Sequence, residues 1–315
     1  MTKKSIWRAT ILAAALSAAP AYAAAQSSGW GAVTGGDEEP DATEAAGPTA
    51  SSTDEGQASG GDTDSRLADA AAKYREAVGV VVMTVPNRGP TPVGTAWAFE
   101  DRRFATNAHV AKIIKDTWAK HPYVPFFVAI NGRPDKRLKV SSFSMHPEYG
   151  KADVRFDGKV ASRGYDIAVL TTDAAAPAHF NLADQDDLKK LRSGTRIAYL
   201  GFPMERLLHG NVDAQMPVAT MQSGIVTSMS DHFLADSGFE KNRLVRHNLA
   251  ATGGASGSPI FTSNGDVVAI LYAGNVIGSV SVDAQSGEAS VVRAPNAALV
   301  NFAERIDSLA GVPRK

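Results

Sequence analysis

From residue 78 onward the chain is written in short apolar or alternating runs, each closed by Gly, Pro, Asn or Asp. The runs are VGVVVMTV (78–85), VGTAWAFE (93–100), YVPFFVAIN (123–131) and DIAVLTT (166–172), then RIAYLGFP (196–203), QSGIVTSMS (222–230), SGSPIFT (256–262) and DVVAILYAG (266–274). Runs of this length have the period and the β-branched and aromatic content of strands, and the punctuation is turn chemistry. Strands that follow one another without intervening helices cannot build alternating βα units. The pattern predicts an all-β barrel fold.

Three helical patterns frame the strands. SRLADAAAKYREA (65–77) reads as an amphipathic helix with Ser65 as N-cap and Leu67, Ala71 and Tyr74 on one face. HVAKIIKDTWAKH (109–121) reads as a second helix. PNAALVNFAERIDSLA (295–310) reads as a C-terminal helix with Leu299, Phe302, Ile306 and Leu309 as its docking stripe.

The stretch TGGASGSPI (252–260) has the chemistry of a nucleophile loop. Ser256 lies between glycines, with no bulky side chain from 252 to 258. A nucleophilic serine needs an exposed hydroxyl, and backbone N–H groups close enough to meet a developing oxyanion. Two partners stand upstream. FATNAHV carries His109 and RGYDIAVL carries Asp166 at the head of a strand-like run. The order is therefore His109, Asp166, Ser256, and order separates hydrolase folds that share this chemistry. An α/β-hydrolase needs a histidine after its serine, whereas all seven histidines here precede Ser256. Its G-x-S-x-G elbow also fails at Ser258. A subtilisin-type order needs an Asp before His109 in a strand setting, and most acidic residues there fall in a low-complexity segment.

TNAHV, YDIAVL and GGASGSPIF together resemble the trypsin/chymotrypsin-like serine proteases. They resemble more narrowly the cysteine-free bacterial branch of Htr-type proteases and glutamyl endopeptidases. The resemblance spans roughly residues 78 to 310. It implies two six-stranded β-barrels with the site in the cleft between them, barrel one over about 78–185 and barrel two over about 195–295. It implies a serine endopeptidase that forms an acyl-enzyme. Ser256 would be the nucleophile, His109 the general base and acid, and Asp166 the group that fixes the imidazole tautomer. The N–H groups of Gly254 and Ser256 would form the oxyanion hole.

The same resemblance places the substrate pocket at Ala250, Thr252, Leu271, Tyr272, Ala273 and Gly274. Ala250 falls where trypsin-like enzymes carry an Asp for basic substrates. Leu271 falls near the histidine that meets Glu in glutamyl endopeptidases. With neither charge present, the expected preference is for small or medium apolar residues before the scissile bond, and tyrosine-to-glycine 272–274 would lie along the substrate backbone. Ala255 replaces the Asp that binds a new N-terminus in zymogen-forming relatives, so activation by that route is not expected. No residues remain for a PDZ domain, and Htr-type oligomeric regulation is not carried over. The residues leave two alternatives open: a catalytically silent binding module on this fold, and an esterase with the same triad.

Composition bounds the rest. Of 315 residues, 44% are hydrophobic, enough for a sizeable core. Lys3, Lys4 and Arg8 precede the apolar ATILAAALSAA, and A-x-A sites follow. Residues 1–25 are expected to be a signal peptide cut after Ala23 or Ala25, leaving a periplasmic or secreted protein with no membrane anchor. Export without a single cysteine suits a domain large enough to be stable without disulfides. Residues 26–65 hold nine Asp or Glu, no Lys or Arg and few large apolar side chains, the composition of a disordered spacer. Setting aside the three cations of 1–25 and the nine acids of 26–65, residues 66–315 carry 29 basic and 24 acidic groups, a net of +5. That is too little for a nucleic-acid footprint. No histidine has metal-ligand spacing, so no metal or cofactor is expected, and the expected partners are protein or peptide substrates.

Overall fold

The computed structural model describes residues 60–85, 89–151, 153–156, 159–203, 215–273, 276–282, 289–295 and 300–314. The expected signal peptide and the acidic segment up to residue 59 lie outside them.

Two closed antiparallel barrels of six strands each make the fold. Strands β1 (Val78–Thr84), β2 (Pro90–Glu100), β3 (Arg103–Thr106), β4 (Phe126–Ile130) and β5 (Arg137–Met145) build the first barrel with β8 (Ala168–Thr172). A separate hairpin, β6 (Asp153–Phe156) and β7 (Lys159–Arg163), projects between β5 and β8. Around the barrel the order is β1-β2-β3-β8-β5-β4. The second barrel uses β9 (Arg196–Gly201), β10 (Thr220–Ser230), β11 (Leu244–His247), β12 (Pro259–Phe261), β13 (Val267–Ala273) and β16 (Asn301–Arg305). Its order is β10-β11-β16-β13-β12-β9, and β14 (Val276–Val282) pairs with β15 (Ala289–Pro295) as a separate ribbon.

The near-continuous apolar run of β1 has a physical reason. Val81 enters the core of the first barrel with Phe104, Phe126 and Val128. Val78, Val80 and Val82, on the other face, join the cluster that contains Tyr199, Ile260 and Phe261 of the second barrel. A strand covered on both faces loses the polar half of its alternation. The two barrels thus share one apolar seam.

Helix α1 (Gly60–Lys73) buries Leu67, Ala70 and Ala71. Just beyond its end, the ring of Tyr74 stacks on Phe180 at 4.5 Å. The helix begins five residues before the expected cap, so Ser65 lies inside it. Two acids account for the earlier start. Asp62 sits in the first turn, where the helix dipole favours an anion, and pairs with Arg66 at 2.9 Å. Asp64 pairs with Arg196 at the start of β9, with a 3.0 Å bond from Arg196 Nε. Residues 60–65 therefore belong to the fold and not to the spacer. Helix α2 (Ala108–Lys120) follows β3, and the short α3 (Gln185–Lys189) links the barrels.

The expected C-terminal helix over 295–310 is corrected. Asn301–Arg305 is a strand, and Ile306–Gly311 is a 3₁₀ helix. The apolar spacing was compatible with a helix, but the second barrel needs this segment as its closing strand. Leu244 pairs with Glu304 on one side and Ile270 with Glu304 on the other. Without β16, strands β11 and β13 would expose unpaired edges. The end of the closing strand also carries a buried charge whose hydrogen bonds are met in place. Arg305 is 0% exposed, yet it donates twice to Asp307, each at 2.8 Å, and to the carbonyls of Phe239 and Asn242. Of the expected stripe, Ile306 and Leu309 are buried, Phe302 is half-buried, and Leu299 lies outside the described residues.

His247, at the end of β11, is 0% exposed. Its Nδ1 accepts the Leu249 N–H at 3.2 Å, which fixes a neutral ring. Burial pushes its pKa down to about 3. The unfolded chain therefore binds a proton at this ring below about pH 6.5 that the native state refuses. Stability should fall as pH drops from 6.5 towards 3, by about 1.4 kcal/mol per unit from this group alone. Urea denaturation across that range checks it. His247→Asn, which keeps an acceptor beside Leu249, should flatten the acid slope by close to one proton, and an unchanged slope would exclude His247 as the source.

Candidate active site

The site grows from the junction of β3 and α2. Asn107 precedes the first turn of α2, but its side chain does not cap the helix. Its amide instead donates 2.8 Å to the carbonyl oxygen of Asp166. The cap comes from across the chain: the backbone N–H of His109 donates to Asp166 Oδ1 at 2.8 Å. The other carboxylate oxygen, Oδ2, accepts from His109 Nδ1 at 2.6 Å. One carboxylate thus satisfies a free N–H at a helix N-terminus, where an anion is favoured, and orients the ring two residues in. This leaves Nε2 as the imidazole's free acceptor.

The two side chains differ sharply in exposure. The His109 side chain is 36% exposed and that of Asp166 is 6% exposed. Burial disfavours the charged imidazole. The Asp166 carboxylate, through its charge and its hydrogen bond, outweighs burial and holds the His109 pKa above the ordinary 6.5.

Ser256 lies on the loop between β11 and β12 and is half-buried. That loop is stapled to the first barrel through Thr95 of β2. The Thr95 N–H donates 2.8 Å to the Ser256 carbonyl, and its hydroxyl donates 2.8 Å to the Gly254 carbonyl. The same hydroxyl accepts the Phe202 N–H at 3.1 Å, and the Thr95 carbonyl accepts the Thr106 hydroxyl at 2.7 Å. Thr106 ends β3, three residues before His109. One residue therefore ties the serine loop to the strand that delivers the histidine.

Within the loop, the N–H groups of Ala255, Gly257 and Ser258 donate to the carbonyls of Thr252, Leu271 and Ala255. Those of Gly254 and Ser256 make no such bond among the described residues. Gly254 and Gly257 hold φ near +90°, a region L side chains rarely adopt. Ser258 is fully buried and closes the loop with a 2.6 Å bond to the Ala255 carbonyl. Its hydroxyl fills the space beside Gly201, where a Cβ would lie 1.9 Å away. A serine at 258 is thus a packing solution, matched by a glycine across from it.

The expected pocket residues do not share one environment. Ala250 and Thr252 are exposed on the loop, and the Ala250 carbonyl accepts the Tyr199 hydroxyl at 2.9 Å. Leu271 and Tyr272 are 2% and 6% exposed. Leu271 joins the core, and its backbone clamps the loop by accepting from Gly257 and donating to Ser258. Ala273 pairs with Phe302 through its backbone, and Gly274 lies outside the described residues. Thr95 has no signature in the sequence, since nothing in VGTAWAFE marks a partner 159 residues away.

Two closed six-stranded barrels define a fold class, and the family comparison agrees. Residues 94–270, more than half of the chain, match the trypsin-like peptidase domain. The chain belongs to the family of trypsin-like peptidases. No curated protein matches it. Among solved structures it is similar to an HtrA-type protease, AlgW, with a decapeptide (16% identity, 77% of this chain and 65% of that one covered, TM-score 0.48). It is similar to Deg5 (16% identity, 78% and 91% covered, TM-score 0.44). It is also similar to an inactive serine-to-alanine form of Rv3671c from M. tuberculosis (16% identity, 77% and 87% covered, TM-score 0.44). The chain spans 65% of the length of AlgW.

Proposed function

We propose that this chain is an exported serine endopeptidase. The observation that carries the reading is the carboxylate of Asp166, which binds both the N–H and the Nδ1 of His109 and so leaves Nε2 as a base. In this reading Nε2 takes the Ser256 proton as Oγ attacks the peptide carbonyl. The oxyanion is met by the N–H groups of Gly254 and Ser256. The imidazolium, stabilised by Asp166, then protonates the leaving amine, and water repeats the sequence on the acyl-enzyme. Ala250 and Thr252 line the near side of the substrate pocket, and neutral groups there favour small or medium apolar residues before the scissile bond. Export rests on the signal-like residues 1–25. No helix among the described residues is long and apolar enough to cross a membrane.

The test incubates the purified protein and its Ser256→Ala variant with a proteome-derived peptide library. New termini are read by mass spectrometry. Cleavage by the wild type alone, after Ala, Val or Leu, is the expected result. Cleavage confined to Lys or Arg would overturn the pocket assignment. Absence of cleavage by both proteins would overturn the endopeptidase reading in favour of a silent module, and turnover of esters alone would make it an esterase.

A further inference from the structure

Around Tyr165, the residue before Asp166, lies a buried polar array that the proposed reaction does not use. Its centre is Glu304 of β16, which is 0% exposed. Glu304 Oε2 accepts the Tyr165 N–H at 3.1 Å and lies 2.9 Å from His232 Nε2. Its Oε1 accepts the Ser308 hydroxyl at 2.7 Å. The Tyr165 ring stacks on His146, near-parallel at 4.6 Å, and meets the tilted ring of His232 at 4.8 Å. Removing a charge from water costs several kcal/mol unless it is fully bonded. A carboxylate kept here needs an explanation beyond barrel packing.

The explanation lies in Tyr165. It is one of two non-glycine residues with positive φ among the described residues, at 56°. That conformation costs a side-chain-bearing residue about 1–2 kcal/mol and persists only when its surroundings hold it. It immediately precedes Asp166. The Tyr165 carbonyl accepts the Ile167 N–H at 2.8 Å, so Asp166 stands at the apex of a three-residue turn. The apex is pinned at three points. Glu304 holds the N–H before it, Asn107 holds its own carbonyl, and the His146 N–H holds the carbonyl after it at 3.0 Å. Two of those pins come from the first barrel. Glu304 comes from the second.

We propose that Glu304 is a positioning residue that fixes the aim of Asp166 across the barrel interface, with His232 and Ser308 holding Glu304 in place. The inference rests on the triad reading above. It makes the second barrel supply not only Ser256 but also the anchor for the carboxylate of the first.

Glu304→Gln, close in size, tests it with a chromogenic peptide cleaved by the wild type. Active sites are counted by burst titration, so misfolded protein does not enter kcat. The expected result is a kcat per active site at least tenfold lower, with KM within twofold. The acid limb of the rate profile should also shift to lower pH, because a loosened Asp166 no longer raises the His109 pKa. Ser308→Ala, which removes one bond and no charge, should give the same changes at a few-fold scale, and it decides the matter if Glu304→Gln does not fold. Unchanged kcat per site and an unmoved acid limb in the folded variants would overturn the proposal, even if their melting temperatures fall. A wild type that cleaves nothing would instead sink the triad reading on which it rests.

Discussion

Replacing Asp166 by Asn is expected to lower kcat for peptide hydrolysis by about 10⁴-fold while the double barrel stays folded. The size follows from counting acceptors. Asp166 accepts at both oxygens, one from the His109 N–H at 2.8 Å and one from Nδ1 at 2.6 Å. An asparagine has one acceptor. If its oxygen stays on the helix N–H, its amide faces Nδ1 and can only donate. The imidazole must then carry its proton on Nε2, the tautomer that cannot accept from Ser256. The pH profile gives a second reading of the same bond. In the wild type the rate should fall as pH drops through a limb above 6.5, because His109 must be neutral to act and Asp166 raises its pKa. In Asp166→Asn the residual activity should lose that elevated limb. Steady-state kinetics with circular dichroism as the folding control measures both. A folded variant within tenfold of the wild type would remove Asp166 from the mechanism.

Gly257→Ala is expected to destabilise the fold by at least ~4 kcal/mol, beyond the range of ordinary point changes. Its φ of +90° is strained for any L side chain, and an added Cβ would lie 2.1 Å from the Thr95 carbonyl oxygen and 2.6 Å from the Thr106 hydroxyl. The first neighbour is backbone in β2 and cannot rotate aside. The loop would have to retreat and give up its bonds from Thr95 to Ser256 and Gly254, each worth roughly 1 kcal/mol. Gly253→Ala, where a Cβ meets nothing within 4 Å, is the control and should leave stability unchanged. Urea melts of the two variants compare them directly. A Gly257→Ala protein within 1 kcal/mol of the wild type would mean that the loop does not approach the first barrel this closely.

The strands were legible wherever the chain keeps a clean period. VGTAWAFE and RIAYLGFP became β2 and β9 with little change. RLKVSSFSM, which forms β5, carries a weaker signal because charged and small polar residues fill much of its outward face. NFAER is ambiguous in sequence because a helical stripe and a central strand both want apolar residues, and only pairing on two edges distinguishes them. Ser256, His109 and Asp166 stood out because each sits in its own local motif. Thr95 and Glu304 carry no motif. Their bonds reach 159 and 139 residues along the chain, and only the closed barrels bring those partners within 3.1 Å.

The place of β16 has a consequence for how such a protein comes into being. A ribosome releases His109 and Asp166 within the first barrel, whose last strand ends at Thr172. Ser256 emerges later, yet its barrel stays open until residues 301–305 slot between β11 and β13. Until then the Tyr165 N–H also lacks Glu304. The proposed hydrolytic centre is therefore completed only after residues 301–305 have been made and paired, well after its three reactive side chains have appeared.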